Sequence, residues 1–169
     1  MGYAGGQTPN PTYYKLGDHT ECVDIYFNPN IINFTEILKV FLKSHNPTER
    51  ISSQYKSLII VHNTKQATQA EEMLQGERKS RQKTVLTTIK EFDKFFRAEP
   101  KHQKNQLRRH PALINALVGE SLATSYVATR LNGYVGGNNT MGNLNREWKE
   151  LGLTNEIVGY VRQVVIKRN

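Results

Sequence analysis

Apolar and polar positions alternate across residues 21–27, where Val23, Ile25 and Phe27 share one face and Cys22, Asp24 and Tyr26 the other, the period of a sheet strand. Asn28-Pro29-Asn30 ends it. Over residues 34–44 the rhythm becomes helical: Ile37, Leu38, Phe41 and Leu42 gather on one face, Asn33 or Thr35 can cap the start, and His45-Asn46-Pro47 stops the run. Residues 55–62 predict a second strand, and the unbroken Leu58, Ile59, Ile60 and Val61 predict burial on both faces, as in the centre of an α/β sheet. A polar helix over 64–80, through Ala67, Ala70, Met73 and Leu74, leads to a third strand over 84–91, where Val85, Thr87 and Ile89 alternate with more polar positions. The rhythm is βαβαβ.

The flanks are less regular. Gly2, Gly5, Gly6, Pro9, Pro11 and Gly17 make residues 1–20 loop-rich, with turns at Asn10-Pro11 and Gly17-Asp18. The last third predicts a helix over 111–117, a loop over 133–139, a short helix over 144–151, and a final helix from Thr154 bearing Ile157, Val158, Val161 and Val165. The whole predicts one domain, residues 1–169, of α/β (α+β) class: a mixed sheet with flanking helices and an irregular helical C-terminal tail.

A chain of 169 residues is long enough for a real core, and its longest apolar run, Leu58 to Val61, is far too short to span a bilayer. No membrane helix is expected. The first residues lack the basic and apolar segments of a secretory leader, so the cytoplasm is the default compartment, although a targeting segment lost with an N-terminus would leave the same picture. A single cysteine, Cys22, excludes an intramolecular disulfide and a multi-cysteine metal site, and the five histidines show no metal-ligand spacing. The net charge of +8 comes mainly from Lys79, Arg81, Lys83 and the stretch from Lys101 to His110. A basic enzyme surface is a commoner origin of such an excess than nucleic-acid binding.

Candidate chemistry changes the picture most. Gly2-Tyr3-Ala4-Gly5-Gly6, Pro11-Thr12-Tyr13 and His19-Thr20-Glu21 follow one another in the order found in the peptide methionine sulfoxide reductase A family. The resemblance continues through Ser44-His45-Asn46-Pro47-Thr48, Gln54-Tyr55-Lys56-Ser57, Arg97-Ala98-Glu99-Pro100-Lys101-His102-Gln103 and Ala128 to Gly137, so it covers nearly the whole chain. It implies that Glu21 protonates or hydrogen-bonds the sulfoxide oxygen, that Tyr13 and Tyr55 are phenol donors to it, and that His102 stands behind them. It also implies no bound cofactor, an external thiol reductant of the thioredoxin or dithiothreitol type, and oxidised methionine in proteins or peptides as substrate.

The chemistry accounts for these residue types. Reducing a methionine S-sulfoxide needs a thiolate to attack sulfur, an acid to make the oxygen a better leaving group, hydrogen-bond donors on that oxygen, and an apolar pocket for the methyl group. A carboxyl that is to act as the acid needs partial burial. The family's nucleophile lies in a Gly-Cys-Phe-Trp-Gly motif ahead of the first motif seen here, and the 169 residues contain no such motif. Cys22 is a poor substitute: it follows Glu21 directly, has no helix N-terminus behind it, and reads as a small, partly buried thiol.

Further departures are Arg50 where the family has an acidic residue, with Glu49 beside it, Ser52 in place of a glycine, and Lys101 in place of a tyrosine. The expectation is therefore a form of the domain lacking the N-terminal strand and the cysteine-bearing helix, arising from a splice form, an incomplete gene model or a selenocysteine codon read as a stop. Such a chain is expected to be inactive alone and to leave Val23, Ile25 and Leu58 to Val61 exposed along an open sheet edge. The alternative is a pseudoenzyme that binds oxidised methionine without reducing it.

Overall fold

A computed structural model describes residues 1–167 and divides the chain into two compact units, Met1–Glu99 and Pro100–Asn169, where the sequence pattern reads as one domain. The first is mixed α and β, with small sheets and flanking helices; the second is helical.

In the first unit β1 (Gly2–Ala4) is the middle strand of an antiparallel sheet, paired with β2 (Thr20–Cys22) on one side and β5 (Phe95–Arg97) on the other. Tyr3 lies opposite Glu21 on β2 and opposite Phe96 on β5. All three residues of β1 are buried, although the glycine-rich segment reads as loop. Gly2 is required there: a Cβ would come within 2.3 Å of the Phe96 carbonyl oxygen and 2.4 Å of the Phe95 ring.

The strand expected over 21–27 stops at Cys22. Its alternation is real, but β2 is an edge strand, and residues 23–26 find no neighbour to pair with. Val23, Ile25 and Tyr26 are exposed in consequence, as expected of the first two.

The βαβ rhythm is present as β3 (Leu58–Val61), α2 (Thr64–Ser80) and β4 (Thr88–Glu91), with β3 and β4 parallel and Leu58 opposite Thr88. These strands form a two-stranded sheet of their own rather than the centre of a larger one. The expected exposure of Leu58 to Val61 is corrected: Leu58, Ile59 and Val61 are buried. Helices supply the cover, because Ile59 and Val61 share a core with Ala70 and Leu74 of α2 and with Leu38 and Leu42 of α1 (Phe34–Lys43). The third strand begins at Thr88 rather than at 84 because the preceding backbone is engaged elsewhere, the Leu86 N–H donating to the Pro47 carbonyl at 2.7 Å.

Local chemistry sets the ends of α1. Asn33 accepts from the Glu36 N–H at 2.9 Å while Glu36 accepts from the Asn33 N–H at 2.9 Å, a reciprocal cap. Beyond the C-terminus, His45 Nδ1 donates to the Phe41 carbonyl at 2.8 Å. In the neutral imidazole Nε2 then accepts from the Ser57 hydroxyl at 2.7 Å, and Ser57 accepts from Thr87 at 2.7 Å. This chain links α1, the approach to β3 and the approach to β4.

The second unit contains α3 (Pro111–Asn115), α4 (Tyr126–Val135), α5 (Met141–Glu147) and α6 (Asn155–Ile166). Leu107, Leu113, Leu131, Tyr134, Leu144 and Val161 form its core and are essentially inaccessible. The sequence pattern assigns no element to α4 and begins a loop at Gly133, whereas the helix runs on to Val135, driven by the burial of Ala128, Leu131, Tyr134 and Val135. It ends at Gly137, whose φ of +79° lets the Asn138 N–H reach back to the Gly133 carbonyl at 2.9 Å. Glu147 of α5 accepts hydrogen bonds from both Arg130 and Tyr134 of α4, joining the two helices.

Candidate active site

The segment between β1 and β2 has little regular structure, yet its backbone groups are anchored. Asp18 folds it back on itself by accepting from the Gln7 N–H at 2.9 Å, the Thr8 N–H at 3.0 Å and the Thr8 hydroxyl at 2.7 Å. Those bonds, the Thr8 hydroxyl foremost, hold the Asp18 carboxyl well below the usual carboxylate range. Beside it His19 is buried, with Nδ1 accepting from the Gly6 N–H at 3.2 Å and Nε2 donating to the Thr8 carbonyl at 2.8 Å. Thr12 and Lys15 form a tight bridge further along. Tyr13 sits in that bridge, half-buried against the small core of Tyr3, Leu16 and Ala98.

Across from it, Gln54 and Tyr55 occupy one turn of 3₁₀ helix (Ser53–Tyr55). Ser52 precedes that turn at φ −57°, an ordinary value that requires no glycine. The Thr20 hydroxyl donates to the Ser53 carbonyl at 2.9 Å, tying this turn to β2, and Gln54 Nε2 donates to Glu21 Oε1 at 2.6 Å. The hydroxyls of Tyr13 and Tyr55 lie 3.3 Å apart. The structure thus brings together the three residues singled out from the sequence on β2, the bridge and the turn.

The electrostatics favour a neutral phenol at Tyr55. Tyr55 is pushed up to about 12, first by its hydrogen bond with Tyr13, then by burial and the Glu21 charge. It remains an O–H donor at any physiological pH. Glu21 is half-buried and Tyr55 half-exposed, and both border an apolar cavity of about 500 Å³ with Ile37 and Phe41 of α1 in its wall. Tyr13 reaches this site through the Tyr55 hydroxyl. A protonated phenol beside a carboxyl suits an acceptor oxygen that gains negative charge during reaction.

Cys22 also borders the cavity. Burial pushes its thiol up to about 11, the opposite of what an attacking thiolate needs. His102 ends the 3₁₀ turn Pro100–His102 at the start of the second unit, half-buried, with Lys101 exposed beside it. Glu49 and Arg50 are both exposed.

Sequence reasoning passed over Asp18 and His19, which organise the loop, and Glu99, which accepts from the Tyr13 N–H at 3.0 Å and from the Tyr3 hydroxyl at 2.6 Å. The partners of Glu99 are distant in sequence, so the Ala98-Glu99 pair alone does not reveal them.

Comparison with known proteins bears on the same residues. The family described as peptide methionine sulfoxide reductase matches residues 1–132, and the helical domain described as that of selenoprotein methionine sulfoxide reductase A matches residues 116–166. A peptide methionine sulfoxide reductase of Drosophila melanogaster is 40% identical over 159 residues, covering 91% of this chain and 65% of its own length. Peptide methionine sulfoxide reductase A5 of Arabidopsis thaliana is 38% identical over 143 residues, 79% of this chain and 56% of its own length. Peptide methionine sulfoxide reductase MsrA of Saccharolobus solfataricus is 40% identical over 111 residues, 60% of this chain and 63% of its own length. The chain therefore spans somewhat less than two thirds of each of these relatives, and by the extent of the match it belongs to the peptide methionine sulfoxide reductase family.

Proposed function

We propose that these residues form the oxygen-handling half of a reductase acting on methionine S-sulfoxide in oxidised proteins or peptides, a repair reaction in which two thiols become a disulfide and the oxygen leaves as water. Tyr13 and Tyr55 hold the sulfoxide oxygen and Glu21 donates the proton that lets it leave. The observation that carries this reading is the 3.3 Å approach of the two phenols beside the Gln54-held Glu21 carboxyl.

The other half of the chemistry is a thiolate attacking sulfur, and Cys22 does not supply it: burial raises its thiol to about 11. The attacking group is a thiolate, or a selenolate as the helical-domain relative's name suggests, contributed from outside these 169 residues. The cavity beside Glu21 and Tyr55 is the space such a segment would fill. The chain by itself then turns nothing over, and in the complete enzyme a thioredoxin-type dithiol would reduce the disulfide left by each turnover. In this respect it behaves as the sulfoxide-binding module of the alternative reading.

Calorimetric titration of the chain with a peptide containing methionine S-sulfoxide, and with the same peptide reduced, tests the site. The sulfoxide peptide should bind more tightly, and Glu21→Gln should narrow the difference. Equal affinity for the two peptides contradicts the assignment of Tyr13, Tyr55 and Glu21 to the oxygen.

A further inference from the structure

We propose that Glu99 is a positioning residue of this site, whose carboxylate clamps the Tyr13 backbone to the buried Tyr3 hydroxyl and so sets the Tyr13 phenol against Tyr55. The proposal rests on the reading of Tyr13 and Tyr55 as the oxygen-holding pair.

Tyr13 lies in a segment with no helix or strand of its own, so something else must fix its side chain. Asp18 and His19 anchor residues 6–8, and the Thr12–Lys15 bridge is local to the turn. Glu99 holds the Tyr13 main chain directly from 86 residues away, Oε1 accepting its N–H at 3.0 Å. Its other oxygen, Oε2, accepts the hydroxyl of Tyr3 at 2.6 Å. Tyr3 is 1% exposed in the middle strand of the three-stranded sheet, the most fixed part of the unit available to serve as an anchor. Glu99 is itself held in line, because the Ala98 N–H donates to the Met1 carbonyl at 3.1 Å and extends the pairing of β5 with β1.

The residue type matches the task. Both partners donate to it, one through O–H and one through N–H, and the two oxygens of a carboxylate take one each. An aspartate is one methylene shorter and cannot keep both reaches. Precision matters because 3.3 Å is already long for a bond between hydroxyls, and a shift of about 1 Å in Tyr13 would break it. The raised Tyr3 phenol, held up first by burial and then by the Glu99 bond, agrees with a carboxylate in that place. Glu21 and Tyr13 are the other titratable groups whose charge acts on Tyr3, and the same two act on Tyr55.

The test reads Tyr55 rather than stability. With the full chain labelled at the tyrosine ring carbon bearing oxygen, and Tyr55 identified through Tyr55→Phe, the ionised fraction of Tyr55 at about pH 11 is measured by NMR. For a group at about 12 it should be roughly a tenth in the wild type. In Glu99→Ala it should exceed roughly a half, because Tyr13 swings away and Tyr55 returns toward its ordinary value. A residue with only a structural role would lower the melting temperature and leave Tyr55 unmoved, and that result overturns the proposal.

Tyr13→Phe separates the two layers of the argument. If it raises the ionised fraction while Glu99→Ala does not, the tyrosine pair stands and the role of Glu99 fails. If Tyr13→Phe itself leaves Tyr55 unchanged, the pair fails and the role of Glu99 falls with it. Should Glu99→Ala not fold, as judged by circular dichroism, Tyr3→Phe carries the test: it removes one of the two bonds on the carboxylate without changing charge, and should shift Tyr55 in the same direction by a smaller amount. No shift in that variant overturns the proposal equally.

Discussion

The phenol oxygens of Tyr13 and Tyr55, 42 residues apart in sequence, lie 3.3 Å from each other, and Tyr55 borders an apolar cavity. One phenol donates to the other. The two hydroxyls therefore act as a unit. Tyr13→Phe and Tyr55→Phe should each weaken binding of a methionine S-sulfoxide peptide by about tenfold, near the worth of one hydrogen bond. The double variant should lose clearly less than the product of the two. Strictly multiplicative losses in a titration series would show that the phenols act independently.

The Ser57 hydroxyl stands between His45 and Thr87, at 2.7 Å from each. Ser57→Ala strips a partner from both, and Thr87 is buried at 2% exposure. The loss should be about 1–3 kcal/mol in urea unfolding, the cost of polar groups left without partners. A change under about 0.5 kcal/mol would mean that the chain from α1 to β4 carries no stability.

Tyr134 predicts an alkaline limit. Burial, and then the bond to Glu147, push its phenol from the ordinary 10.0 to about 12. A group raised on folding stabilises fully below its unfolded value, and the gain is lost as pH rises through the folded one. Stability should therefore decline between pH 10 and about 12, and Tyr134→Phe should show a shallower decline across the same window. Parallel profiles from chemical unfolding of the two proteins would contradict this.

Cys22 should be sluggish. With its thiol at about 11 instead of the ordinary 9.0, its thiolate fraction near pH 8 is lower by roughly a hundredfold. Iodoacetamide should accordingly label the folded chain about two orders of magnitude more slowly than the urea-unfolded chain. Equal rates would mean that the thiol is neither buried nor suppressed.

What was legible in the sequence, and what was not, follows from where the determining forces lie. Helix α2 reads correctly from Thr64 to Ser80 because an N-cap, Asn63, and an apolar stripe through Ala70 and Leu74 are written locally. Strand β1 does not: Gly2-Tyr3-Ala4 carries one large side chain and becomes a strand only through pairing with Thr20–Cys22 and Phe95–Arg97. The alternation over 21–27 misleads for the converse reason, a strand pattern without a neighbour beyond Cys22. Glu21, Tyr13 and Tyr55 were named from motif resemblance, and their convergence is a fact of the fold. Glu99 was hidden because a hydrogen bond spanning 86 residues leaves no periodic trace in the chain.

The proposed division of labour has these residues manage the sulfoxide oxygen while the group that attacks sulfur comes from elsewhere. Incubation of the purified chain with a methionine S-sulfoxide peptide and excess dithiothreitol, followed by chromatographic measurement of methionine formed, tests it most directly. No more methionine should form than dithiothreitol yields alone, and Cys22→Ser should change nothing. Turnover well above that background, abolished by Cys22→Ser, would contradict it by making Cys22 the nucleophile.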